Sequence, residues 1–200
     1  MARYDETHKQ ESRRRIVDAA AKRFKTDGID GSGIATLMKD AGLTNGAFYG
    51  HFDSKEDLVR TALGQQIESQ REVLAGLDAG VAGLRQFVRL YLSVEHRDDV
   101  GGGCPSAALL DEIVRGADPT RASYTDHMMG VVDDLAEHLT GVEATRARVQ
   151  VLCLFASMVG TLQLSRALTD RALADDVLEQ GVRNALALLD AADSDEPDGG

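Results

Sequence analysis

Apolar residues recur along this chain at helical rather than strand spacing. Ile16, Ala20 and Phe24 stand at i, i+4 and i+8 with Val17 and Ala21 beside them, which predicts a helix over 6–26 closed by Asp27-Gly28. Ser32 or Gly33 opens a second helix, striped by Ile34, Leu37, Met38 and Ala41. Gly42 breaks it, Leu43 plugs the turn, and Thr44 is a good N-cap for a third helix over 44–51. The unit over 33–52 has the size of a helix-turn-helix. Ser54, with Asp57 three residues on, resembles a capping box and starts a fourth helix over 54–77.

Downstream the pattern stays helical. Leu84, Phe87, Val88 and Tyr91 mark a helix over 81–95. A loop over 96–103 ends in three glycines, and Pro105 suits the first turn of a helix ending near Gly116. Asp118-Pro119 starts another, striped by Tyr124, Met128, Val131, Leu135 and Leu139 and stopped by Gly141. Two last helices are predicted over 143–167 and 170–192. The first is apolar nearly all round from Val149 to Leu164, so it needs cover on more than one side, with Cys153 packed as a small hydrophobe. The acidic end, 193–200, carries Pro and Gly and reads as a disordered tail.

No run of alternating Val, Ile and Thr interrupts this pattern, and aromatics are only 4% of the 200 residues, so the fold class is all-α. A net charge of −11 looks wrong for a partner of DNA until it is mapped. Residues 1–60 carry 11 Lys+Arg against 10 Asp+Glu, and all five lysines fall at or before Lys55. The remainder carries 11 against 23 and would be repelled by a polyanion. No stretch of about 18 uninterrupted apolar residues occurs, which predicts no membrane span. The charged N-terminus lacks the apolar core of a signal peptide, and Cys104 and Cys153 make no disulfide framework; a reduced, cytoplasmic protein is expected.

One linked series is specific. It runs Arg15-Ile16-Val17-Asp18-Ala19-Ala20, Phe24, Gly28, then Ile34 through Phe52 without a gap, then Ser54-Lys55-Glu56-Asp57-Leu58. Over 12–64 the chain resembles the tetracycline-repressor (TetR/AcrR-like) family of bacterial transcriptional regulators. The resemblance implies a three-helix helix-turn-helix DNA-binding domain over 1–53, a helical effector-binding and dimerisation domain over 54–192, and the tail over 193–200. It implies a ligand-responsive repressor that binds a palindromic operator in double-stranded DNA as a homodimer and is released by a small apolar or electrophilic effector. A helical small-molecule carrier or enzyme, or an effector-blind architectural DNA binder, are the alternatives.

The expected DNA contacts are Arg13 and Arg14 on the first helix, then Ser32, Thr44, Asn45, Gly46, Tyr49, His51 and Lys55. A helix N-terminus aims its N–H groups at phosphates, and Asn reads adenine. Phe48 and Phe52, at i and i+4, are expected in the core, with Tyr49 and His51 facing away. The resemblance implies operator phosphates as their partners. Gly46 and Ala47 let the helix approach closely, while Gly50 costs about 1 kcal/mol of propensity. For the effector, Phe87, Tyr91, Cys104, Tyr124, Met128 and Met158 are expected to line an adaptable apolar pocket. Cys104 follows flexible glycines at a helix N-terminus, where an accessible sulfur would sense electrophiles. Val151, Leu154, Phe155, Leu162, Leu178, Val182, Leu186 and Leu189 are expected at the dimer interface.

No cofactor, metal site or catalytic residue is expected. Adjacent acids such as Asp133-Asp134 diverge on a helix, and His127, Asp134 and His138 make at best a weak, exposed ligand set. Gly101-Gly102-Gly103 lacks the Lys and Ser/Thr of a P-loop.

Overall fold

The computed structural model describes residues 2–194, with side chains over 6–191, so part of the expected tail lies outside the described residues. The described residues contain helices and no strand. The helices are α1 (Ala2–Asp27), α2 (Ile34–Asp40), a 3₁₀ helix (Asn45–Gly50), α3 (Lys55–Leu74), α4 (Val81–Tyr91), α5 (Val94–Asp98), α6 (Pro105–Arg115), α7 (Asp118–Ala136), α8 (Ala144–Ala167) and α9 (Arg171–Ser194). The fold is all-α, with an N-terminal helix-turn-helix followed by a helical C-terminal region.

The caps explain several boundaries. Ser54 Oγ accepts from Asp57 N–H at 3.1 Å, as the capping box predicts, but Asp57 returns its bond to Asp53 N–H at 3.4 Å. Glu143 caps α8 by accepting from Thr145 and Arg146 N–H at 2.9 and 3.0 Å. Asp170 Oδ1 accepts from Ala172 and Leu173 N–H at the start of α9. The predicted loop over 96–103 instead holds the end of α5, because Ser93 Oγ accepts from His96 N–H and caps a further turn.

Packing divides the chain into two units that are not the expected contiguous blocks. The first comprises Met1–Glu68 and Cys104–His127, the second Ser69–Gly103 and Met128–Gly200, so the boundaries fall inside α3 and α7. The reason lies in α6. Leu109 and Ile113 bury in the same cluster as Ile16, Phe24, Leu37, Phe48, Phe52 and Leu58.

The second unit is built on α8 lying along α9. Val151, Leu154, Phe155, Leu162, Leu178 and Leu189, expected at a dimer interface, are buried within the chain. Val182 and Leu186 are half-buried. The exposed apolar residues of these helices are others: Val149, Leu152 and Leu164 on α8, Leu173 and Leu188 on α9. Cys153 is also exposed rather than packed. Periodicity cannot say which side faces inward on a helix apolar all round. By length and composition α8 is also apolar enough to cross a membrane. A rule of uninterrupted runs misses it because Gln150, Ser157 and Thr161 break the run. Its inner face, from Ala147 to Ser165, is buried.

At the α5 corner, Arg97 is buried and pairs with Asp98 at 2.8 Å and Asp175 at 2.5 Å, which raises its already high pKa. Arg166 donates to the carbonyls of His96 and Arg97. This knot fastens α5 to α8 and α9.

Phe48 and Phe52 are buried as expected, at 0% and 1% exposure. Phe48→Ala should lower unfolding free energy by about 3–5 kcal/mol, read from urea unfolding followed by circular dichroism. A cost below about 1 kcal/mol would show that the site is not close-packed.

Candidate nucleic-acid interface

The turn between α2 and the 3₁₀ helix is set by backbone chemistry. Gly42 lies at φ +69°, Leu43 N–H bonds Met38 O at 2.8 Å, and Gly42 N–H bonds Lys39 O at 2.9 Å. This is a Schellman stop, which needs a left-handed residue after the helix. A side chain at Gly42 would also strike the Arg15 guanidinium. Leu43 then folds back against the core.

The third element is a 3₁₀ helix rather than the predicted α-helix over 44–51. Gly46 and Gly50 carry no helix propensity to spare, and six residues are too few to sustain an α-helix alone. Thr44 occupies the N-cap, but its side chain makes no capping bond. What holds the segment is its inner side. Phe48 packs on Phe52 with ring centroids 5.8 Å apart. The Arg13 guanidinium lies 4.0 Å above the Phe52 ring, donates to the His51 carbonyl, and reaches Thr61 Oγ1 of α3 at 3.5 Å.

The outer side is open. Thr44, Asn45, Gly46, Tyr49 and Gly50 are exposed, Tyr49 at 72%, and a Cβ at Gly46 or Gly50 would meet nothing within 4 Å. None of these residues is acidic. Arg14 is exposed on α1. His51 is half-buried; its Nδ1 is buried without a hydrogen-bond partner, and burial followed by Lys9 and Arg13 pushes its pKa down.

Three expected contacts sit differently. Arg13 is spent on Phe52 and His51, so its charge braces the domain instead of projecting outward. Ser32 is buried and donates to Gly28 O at 2.7 Å, closing the α1–α2 corner. Lys55 is half-buried and lines a cleft of about 360 Å³ with Ile29, Glu56, Glu112 and Arg115, among others.

The corner has a second brace that local pattern does not reveal. Glu112 of α6 accepts from Ile29 N–H at 2.8 Å and Asp30 N–H at 3.3 Å. Arg23 joins α1 to α2 through Asp40 at 2.8 Å and also pairs with Asp27, whose pKa it lowers.

The six expected pocket residues fall in different units. Phe87, Tyr91, Met128 and Met158 are buried in the second, where Tyr91 meets Phe87 and Phe155 edge-on, both at 5.6 Å between centroids. Cys104 and Tyr124 lie in the first. Tyr124 shares a 2.8 Å hydrogen bond with Ser106, and burial raises its pKa. Cys104 is 1% exposed, so the expected accessible sulfur is corrected: a side chain at Gly102 or Gly103 would strike Asp99 or His96, and the glycines form a fitted turn. Asp134 pairs with Arg71 and His138 Nδ1 lies 3.1 Å from Gly80 O, so those groups serve packing.

Residues 16–62 match the family model of the bacterial regulatory proteins of the tetR family. This N-terminal domain is a tetR-family domain. Its sequence is 40% identical over 58 residues to the HTH-type transcriptional regulator AcrR of Shigella flexneri, and 36% over 63 residues to TtgR of Pseudomonas putida. These matches cover 29% and 32% of this chain but only 27% and 30% of the two regulators. The whole fold is similar to that of reduced NemR of E. coli, with a TM-score of 0.73, 18% identity, and 87% and 94% of the two chains covered. The tetR-family match ends at 62, so α4 to α9 share a fold with such proteins and little sequence.

Glu112→Ala, outside the matched segment, should speed amide exchange at Ile29 and Asp30 within it and cost about 1–2 kcal/mol of stability. Unchanged exchange at both amides would mean that the carboxylate does not hold the corner.

Proposed function

We propose that this chain is a ligand-responsive transcriptional repressor that reads a palindromic operator as a homodimer. The observation that carries the reading is the tetR-family domain with an exposed, acid-free face over 44–50 set on a buried Phe48–Phe52 base. Such a face admits a duplex, Asn45 offers a donor and an acceptor to base edges, and the two glycines permit close approach. Working on DNA, the protein acts in the bacterial cytoplasm.

Dimerisation is supported by the second unit. Val149, Leu152 and Leu164 on α8, with Leu173 and Leu188 on α9, leave an apolar surface on the two helices. A twofold copy would cover it, and a C2 dimer suits a palindromic site. The effector is proposed to be a small apolar or aromatic molecule, in keeping with the buried Phe87, Tyr91, Phe155 and Met158.

Tyr49→Ala and Asn45→Ala should each weaken binding to DNA from upstream of the gene by about tenfold, with circular dichroism unchanged. Lys55→Ala should lower the salt slope of log affinity by about one if Lys55 meets a phosphate. Fluorescence anisotropy that gives parental affinity and slope for all three would remove this face from the interface. Leu152→Asp together with Leu164→Asp should turn a dimer into a monomer in sedimentation velocity at micromolar concentration. A parental dimer in that variant would place the interface elsewhere.

A further inference from the structure

His51 stands where the reading face meets the brace behind it. It follows the 3₁₀ helix directly, its carbonyl accepts from Arg13, and the next residue is the Phe52 on which Arg13 lies. The ring's Nδ1 is buried and has no hydrogen-bond partner among the described residues. Among the described residues the charges acting on the ring are Lys9 and Arg13, both of α1 and both positive. α3 enters this network through Thr61, an uncharged hydroxyl bonded to Arg13. Among the described residues the free protein thus gives an imidazolium two repelling cations and no anion, and His51 is only partly buried, next to an open surface.

DNA supplies what is missing. A phosphate seated against this edge brings an anion to the ring and neutralises the cations behind it, so the protonated form gains and the neutral form does not. We propose that His51 takes up a proton from solvent when the reading face seats on a backbone phosphate, so that DNA binding tightens as the pH falls. This deepens the operator reading above and rests on it.

The sign follows from linkage. A group that binds its proton more strongly in the complex adds affinity that is fully present at low pH. That affinity is lost as the pH rises through the pKa of the complex. Each unit of difference between free and bound protein is worth about tenfold in affinity per reading face. The pKa of the free ring lies below the ordinary histidine value through burial first, then Lys9, then Arg13, so the window begins on the acid side of that value.

The test is anisotropy with a duplex from upstream of the gene, at constant ionic strength, from pH 5.5 to 8.5. The parent should lose about tenfold or more of its affinity across the range. His51→Gln should bind with a flat profile, and His8→Gln, altered at an exposed histidine of α1, should keep the parental slope. Imidazole NMR titrations, free and DNA-bound, read the same quantity directly: the His51 midpoint should move up on binding. A flat parental profile, an equal slope in His51→Gln, or an unmoved His51 midpoint overturns the proton uptake while leaving DNA binding in place. Absence of specific binding at every pH removes the operator reading itself, and this inference with it.

Discussion

A guanidinium lying on an aromatic ring holds the segment after the Gly42 turn in shape. The segment over 45–50 is a short 3₁₀ helix with a glycine at its second and last positions, and nothing in its own sequence would keep it folded. Its shape comes from behind. Phe48 and Phe52 sink into the core of the first unit, and Arg13 clamps the far end by covering Phe52 and bonding the His51 carbonyl. At the near end the left-handed Gly42 turns the chain and Leu43 anchors it. Between those two points the outer residues need only be small or polar.

This arrangement gives the charges of α1 divided duties. Arg13 is inward and structural, Arg14 is exposed, and Arg15 lies against the Gly42 turn. Arg23 pairs with Asp27 and Asp40 and so sets α2 against α1. The corner over 28–32 is then closed twice, by the Ser32 hydroxyl and by the Glu112 carboxylate. A head of short helices acquires rigidity from polar bonds at its rim as well as from its apolar centre.

Much of this was legible in the sequence because it is written in local spacing. The stripes of α1 and α2, the buried pair Phe48 and Phe52, and the Ser54 cap all follow from i, i+3 and i+4 rules. What those rules could not supply needs distance or direction. Glu112 lies more than eighty residues from the amides that it holds. Arg13 and Arg14 are neighbours in sequence and differ only in which way the helix turns them. Ser32 and Cys104 sit among glycines that suggest looseness, yet each is buried in a tight turn. α8 is apolar on every side, so its period carries no information about which side is inside.

The two glycines on the outer face have one more consequence. Gly46 and Gly50 have ordinary negative φ angles, and a side chain added at either would enter empty space. The fold therefore leaves room for a side chain at both positions. A larger residue at either position would reshape the outer surface and, by its higher helix propensity, firm the segment, so the outer face and the buried base are free to vary on separate schedules.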